Sequence, residues 1–219
     1  EDGGLVEQPH TIMGNIDETF LELPREVMLT SMEAHQKSFG IEGCDGKLSP
    51  YFLTVLNISP KDEALVRIGW ERVLRARLED ARFFWKTDLQ TSLDDWLARL
   101  DSVIFLAGLG SMGDKTRRLE KLCAWIAAKT GFDIPEDAMR AGRLSKADLV
   151  SGMVGEFDTL QGIMGGIYAA RKGESLYVAD ALREQYLPAG PESPLPATLL
   201  GAILSVADKA DTLAGCFGL

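Results

Sequence analysis

The densest chemistry in the sequence is cationic. Arg67, Arg72, Arg75, Arg77, Arg82 and Lys86 crowd one segment, against Glu71, Glu79 and Asp80. A helix turns about 100° per residue, so Arg75 and Arg82 fall near each other on the side away from Leu74 and Phe84. Arginine forks match phosphate oxygens, and a row of this kind suits an RNA backbone. The same row also reads as a solvated face stitched by pairs such as Glu71 with Arg75, each worth about 0.2–0.5 kcal/mol. The residues alone leave both readings open. Lys115, Arg117, Arg118 and Lys121 form a second basic cluster at a helix start, where the dipole is already positive and cations cost a little stability. Contact with phosphate would explain that arrangement, and ordinary surface residues would also fit it. Asp208 and Asp211 lie on an otherwise apolar helix, where an acid is a ligand, a cap partner or a member of a buried ion pair.

Other chemistries lack material. The two histidines, His10 and His35, are far from any cysteine cluster, so neither a His-based metal site nor a Ser-His-Asp triad is expected. There is no P-loop and no GxGxxG fingerprint, and Gly108-Leu109-Gly110 is too short to count. No catalytic residue and no metal ligand set is assigned. Cys44, Cys123 and Cys216 are odd in number and widely spaced, which speaks against a disulfide frame or zinc knuckle. Cys123 reads as a small buried hydrophobe on a helix face. A net charge of -10 counts against a protein that coats DNA or RNA. A local basic stripe stays compatible with it, because screening confines surface charge to about 8–10 Å. No apolar run reaches the roughly 18 residues of a spanning helix, and Glu1–Gln8 is acidic and Gly-rich with no signal-peptide pattern. No membrane, no export and a cytoplasmic setting are expected. The missing initiator Met and the ending Gly215-Cys216-Phe217-Gly218-Leu219 read as an internal piece of a longer chain.

The elements that position these residues read as a small α+β unit followed by helices. Between Asn15 and Ile58, Pro24 opens a helix carrying Val27, Met28, Met32 and His35 or Gln36, and Phe39–Ile41 and Tyr51–Ile58 are short β runs joined by Gly43-Cys44-Asp45-Gly46. Ser59-Pro60-Lys61-Asp62 starts a long helix with Trp70, Val73, Leu74, Ala81, Phe84 and Trp85 on its apolar face. A helix after Ser92 carries Leu93, Trp96, Leu97, Leu100 and Ile104. Another follows Gly113 with Leu119, Leu122, Cys123, Ile126 and Ala127, closed by Gly131. Ser145 with Asp148 predicts a further capped start, stapled by Leu144 and Leu149. One helix follows Ser175, with Val178, Ala181, Leu182 and Tyr186, and one runs from about Ala197 to Leu213, separated by a loop holding Pro188, Pro191, Pro194 and Pro196. Met13, Met28, Met32, Met153 and Met164 read as core filler.

Five motifs in order then carry a resemblance. They are Glu71-Arg72-Val73-Leu74-Arg75-Ala76-Arg77-Leu78-Glu79-Asp80-Ala81-Arg82-Phe83-Phe84, Leu109-Gly110-Ser111-Met112-Gly113-Asp114-Lys115, Met153-Val154-Gly155-Glu156-Phe157, Leu160-Gln161-Gly162-Ile163-Met164-Gly165, and Ala207 through Gly215. Together they resemble the beta subunit of the bacterial two-subunit glycyl-tRNA synthetase, from about Leu21 onward, in the middle of a much longer subunit. One departure is Trp70, where the family carries Asn after Gly69.

The resemblance implies a heteromeric ligase whose alpha subunit holds ATP, Mg and glycine while the beta subunit handles tRNA. This segment then carries no cofactor, is inactive alone, and has as partners the alpha subunit and tRNA for glycine, with no DNA and no membrane. Arg75, Arg77, Arg82, Lys115, Arg117 and Arg118 are the candidates for acceptor-arm contacts, by chemistry. The resemblance also implies a mainly α chain, with a small α+β unit and long helices over 1–105 and an HD-like helical domain over 106–219. Working HD phosphohydrolases bind metal through a His, an adjacent His-Asp pair and a later Asp. Here Ser151-Gly152 stands near the pair, no His follows His35, and Asp208 alone survives, which reads as a scaffold without metal chemistry. The rival readings are an HD-type metal-dependent phosphohydrolase and a purely structural module that docks the alpha subunit.

Overall fold

A computed structural model describes residues 8–131 and 135–218. The Glu1–Gln8 reading thus lies outside the described residues save Gln8, as does Leu219, and the side chains of His35 and Gln36 are likewise outside. The chain is mainly α with a small α+β start, and it divides into two compact units between Lys86 and Thr87. That division falls before the expected 105/106, because Asp88, Trp96 and Leu100 are committed to the core of the second unit.

In the first unit, strands β1 (His10–Asn15), β2 (Ser38–Glu42) and β3 (Leu48–Leu56) form an antiparallel sheet in the order β1-β3-β2. Gly46, at φ 76°, makes the turn between β2 and β3. Pro50 sits in the central strand, where it cannot donate to a ladder, and the β2–β3 register slips opposite it between Gly40 and Glu42. Alternation puts Ile12, Phe52 and Thr54 on the buried face, under Val27, Met28 and Met32 of helix α1 (Arg25–Gln36). Met13 falls on the other face and is 54% exposed, so it is not core filler.

Helix α2 (Glu63–Gln90) continues across the division. Its cap is Asp62, whose Oδ1 accepts from Leu65 N at 3.0 Å, rather than the Ser59-Pro60 start expected from sequence. The buried stripe is Leu74, Leu78, Ala81 and Trp85; Val73, expected on it, is 52% exposed because it lies one position off the i, i+4, i+7 repeat.

The second unit begins with helix α3 (Leu93–Arg99), capped by Ser92, and a 3-10 turn over Leu100–Ser102. A two-stranded ribbon follows, β4 (Ile104–Leu106) and β5 (Gly110–Ser111), so the later half is not purely helical, and Ile104 points outward from a strand instead of continuing a helix. Helix α4 (Met112–Thr130) is closed by Gly131 at φ 70°, as read from sequence. Helix α5 (Pro135–Leu144) ends where a new helix was expected to start. Ser145 turns back to donate to Gly142 O, and Ala147–Val150 is a 3-10 turn. The working cap is Ser151, which starts α6 (Gly152–Glu156). Helices α7 (Ile163–Arg171), α8 (Leu176–Glu184) and α9 (Leu199–Gly218) complete the unit, with α4 packed on α5 and α9, and α8 on α7 and α9.

Buried acids pin the short helices. Asp88 accepts from the N–H groups of Gly152 and Met153, each at 2.9 Å, and from Tyr168 Oη at 2.8 Å. Tyr168 meets Trp96 edge-on at 5.1 Å. Lys172 Nζ donates to the carbonyls of Asp88, Leu89 and Thr91 and so closes the end of α2. Asp148 Oδ2 accepts from Gly162 N at 2.6 Å and Gly165 N at 3.0 Å at the start of α7. Burial lifts its carboxyl from 3.8 to about 6 against the pull of those two N–H groups.

Two outcomes follow for stability. Gly142 lets α5 cross α4 closely, since a Cβ there would stand 2.6 Å from Leu119 O and 2.7 Å from Glu120 N. Gly142→Ala is expected to cost about 1–3 kcal/mol in denaturant unfolding. For Asp148, the folded pKa lies above the unfolded one, so the folded state binds the extra proton between them. Its contribution to stability therefore falls as pH rises from about 4 to about 6 and is constant beyond. Asp148→Asn should be most favourable relative to wild type at about pH 7 and lose that advantage at about pH 4 in urea unfolding. An unchanged difference across that window would refute the assignment.

Candidate functional site

Because α2 buries Leu74, Leu78, Ala81 and Trp85, helical geometry leaves Arg72, Arg75, Arg82 and Lys86 along one flank of that stripe. Arg82 is three-quarters buried; its guanidinium lies 4.7 Å from the Phe20 ring centroid and donates to Glu79 at 2.5 Å and Thr19 Oγ1 at 3.4 Å. Lys86 is exposed, 3.6 Å from Glu22. Arg77 lies on another side of the helix, half-buried and partnered. Glu71 does not pair with Arg75: its Oε1 accepts from Asn15 N at 2.9 Å and Asn15 Nδ2 at 3.1 Å. Asp17 accepts from Thr19 N and Oγ1, bonds that hold it below the usual carboxylate range with help from the fields of Arg75 and Arg82. Arg75 stands exposed at the rim of a cavity of about 190 Å³ lined also by Asn15, Asp17, Phe20 and Glu71. Among the described residues no carboxylate comes within 4.0 Å of its guanidinium.

The second basic cluster divides. At the start of α4, Ser111 and Asp114 form a reciprocal capping box, Asp114 N donating to Ser111 Oγ at 3.1 Å and Ser111 N to Asp114 Oδ2 at 3.0 Å. Arg117, 44% exposed, reaches Asp101 at 2.6 Å and Asp114 at 2.9 Å. Arg118 grips Asp211 with two N–H groups, at 2.6 and 3.1 Å. Lys115 turns inward and is only 3% exposed. Its Nζ lies 2.8 Å from Asp208 Oδ1, 3.2 Å from Asp211 Oδ2 and 2.8 Å from Thr212 Oγ1, and 4.4 Å from the Phe105 ring centroid. Carboxylates therefore offset the cations at this helix start, and Lys115 is no longer a candidate for a surface phosphate.

Of the roles left open for Asp208 and Asp211, the structure shows buried ion-pair members. Lys146, which the sequence reading missed, is the third partner: its Nζ lies 2.7 Å from Asp208 Oδ2, 2.9 Å from Gln185 Oε1 and 3.0 Å from Tyr186 Oη. Burial pushes the Lys146 ammonium down and Asp208 pulls it up, while at Asp208 burial is overcome by the two lysines, which hold the carboxyl below its usual range. Asp208 Oδ1 is within ion-pair distance of Lys115 without the alignment of a hydrogen bond. The one available signal was the pair of acids on an apolar helix, which demands buried cations from elsewhere in the chain. Cys123 is buried beside this centre, its thiol pushed up to about 12 by desolvation and then by Asp208.

These residues do not suit the metal of an HD centre. Both oxygens of Asp208 already face ammonium groups, Ser151 serves as a cap, and Gly152 has no side chain to offer and gives its N–H to Asp88. Among the described residues no group of three or more His, Cys, Asp or Glu is placed to hold a metal ion.

The chain is 74% identical to the glycine–tRNA ligase beta subunit of Nitratidesulfovibrio vulgaris (Hildenborough) over 216 residues, covering 99% of this chain and 31% of that protein. It is 60% identical to the same-named subunit of Lawsonia intracellularis over 215 residues, covering 98% and 31%. For Coxiella burnetii the identity is 50% over 216 residues, covering 99% and 31%. The chain thus spans about a third of the length of these relatives. The family model described as glycyl-tRNA synthetase beta subunit matches residues 1–219 without a gap at either end, so both the basic flank of α2 and the Lys115–Asp208–Lys146 centre are features of a chain that belongs to the glycyl-tRNA synthetase beta subunit family.

Proposed function

We propose that this chain is a tRNA-handling segment of a glycine–tRNA ligase, contacting the acceptor arm while an alpha subunit, with ATP and Mg, attaches glycine. The observation that carries this reading is the exposed Arg75 on the α2 flank, between Arg72 and Arg82, with no carboxylate within 4.0 Å among the described residues. Arginine in that state can give its full fork to a phosphate, whereas Arg117 and Arg118 must first release Asp101, Asp114 or Asp211. Arg82 stands beside Arg75 on that flank as a secondary contact, while Arg77 faces another side of the helix and is not part of it. The complete enzyme works in the cytoplasm, and the segment alone is inactive. No helix among the described residues is long and apolar enough to cross a membrane.

A second role, docking of the alpha subunit, is favoured by the outer face of α9. There Leu199, Val206, Leu213 and Phe217 are 53%, 57%, 57% and 88% exposed in one row.

Charge reversal tests the first role. In the full two-subunit enzyme, Arg75→Glu with Arg82→Glu is expected to weaken tRNA binding and to flatten its dependence on log salt by about 0.9 per lost phosphate contact. Filter binding over a salt series reads both quantities. Unchanged affinity and slope, with co-purification of the alpha subunit intact, would leave docking as the function of the segment.

A further inference from the structure

We propose that Lys115 is a built-in cation: its ammonium fills an oxygen cage in the second unit whose donors are those of a hard metal ion. The cage is made of Asp208 Oδ1 at 2.8 Å, Asp211 Oδ2 at 3.2 Å, Thr212 Oγ1 at 2.8 Å and the Asp208 carbonyl at 3.5 Å. All four are oxygens, two of them from carboxylates, with no nitrogen or sulfur among them. That is the donor chemistry preferred by Ca²⁺ and Mn²⁺ rather than by zinc or copper.

The geometry goes beyond an ordinary ion pair. All four oxygens come from one helix turn of α9, Asp208 to Thr212, so α9 presents a preformed cluster of acceptors toward α4. A carboxylate pair this close on a buried face repels itself, and the cluster is stable only with positive charge among its oxygens. Lys115 delivers that charge through a side chain 3% exposed, with the Phe105 ring closing the other side at 4.4 Å. Lys146 takes the remaining carboxylate oxygen of Asp208, Oδ2, and Arg118 takes Asp211 Oδ1 while also reaching Oδ2. The lysine stem makes the cation part of the polypeptide, so the centre holds α4 to α9 with no dependence on metal supply. The vacancy left by a shorter side chain is then a site for a divalent cation.

The test uses the full-length subunit, with Mn²⁺ as probe and amide hydrogen exchange across Leu199–Gly218 as local readout. For wild type, exchange should be the same in chelator and in Mn²⁺, with no stoichiometric Mn²⁺ detected by electron paramagnetic resonance. Lys115→Ala should exchange about tenfold faster across α9 or more. Mn²⁺ should bind it at one site and recover most of that protection. Lys115→Met, which fills the cage with an uncharged stem, should lose protection and gain no Mn²⁺ site. If Lys115→Ala does not fold in chelator, refolding it with and without Mn²⁺ reads the same rescue. Stoichiometric Mn²⁺ in wild type would overturn the proposal. So would a Lys115→Ala protein that binds none, or one that recovers no better than Lys115→Met.

Discussion

Two carboxylates on the inner side of one helix set the terms for the second unit. Asp208 and Asp211 face an apolar interior, where an uncompensated charge costs several kcal/mol. The fold must therefore bring cations to α9, and it does so from two directions. Lys115 comes from the first turn of α4 and Lys146 from the turn after α5. Each must lie at a fixed height along α9 to make contact, so the register of α4 and of the Ser145–Lys146 turn is tied to the acids. Tyr186 and Gln185, just beyond α8, complete the shell around Lys146, which extends the same constraint to a fourth helix.

This explains features that look separate. The start of α4 is an unfavourable place for three cations by dipole alone. Asp114 in the capping box, Asp101 before the ribbon and the α9 acids offset that cost, so the cluster is self-contained. Ser145 and Ser151 are a similar case. Both look like caps in sequence, and only Ser151 acts as one, because Lys146 must sit in the turn where its ammonium can reach Asp208. Asp148, two residues on, is then buried and caps α7 from outside its own helix.

What the sequence made legible follows the range of the forces involved. Periodicity and local caps placed the helices after Ser92, Gly113 and Ser175, the turn at Asp45-Gly46 and the glycine stop at Gly131, since each depends on neighbours within a few residues. Strand β1 carries only a weak alternation and pairs with a partner some forty positions away, so it was not seen. Ile104 was placed on a helix because its spacing fits one, yet pairing with Ser111 draws it into a strand. At the candidate site the α2 arginines were found by density alone. The inward turn of Lys115 and the whole role of Lys146 rest on contacts 93 and 62 positions apart, which no local pattern records.

The charge balance gives the exposed arginine its meaning. Acids outnumber bases by 33 to 23, so a cation on this chain is surrounded by an excess of possible partners. Many are taken: Arg25 by Glu42, Arg82 by Glu79, Arg140 by Glu174, Arg118 by Asp211, and the two buried lysines by Asp208. Glu71, one turn from Arg75 and well placed to take it, is instead bound to the backbone and side chain of Asn15. Asp17, whose charge is felt by Arg75, has one oxygen occupied by Thr19. Two local hydrogen-bonding arrangements thus draw the nearest acids away from a single guanidinium on an exposed helix flank. Arg72 and Arg99 are likewise exposed with no carboxylate within 4.0 Å among the described residues, so what distinguishes Arg75 is the cavity at whose rim it stands. The planar fork of a guanidinium matches the spacing of two phosphate oxygens, and that match is what supports the proposed contact at Arg75.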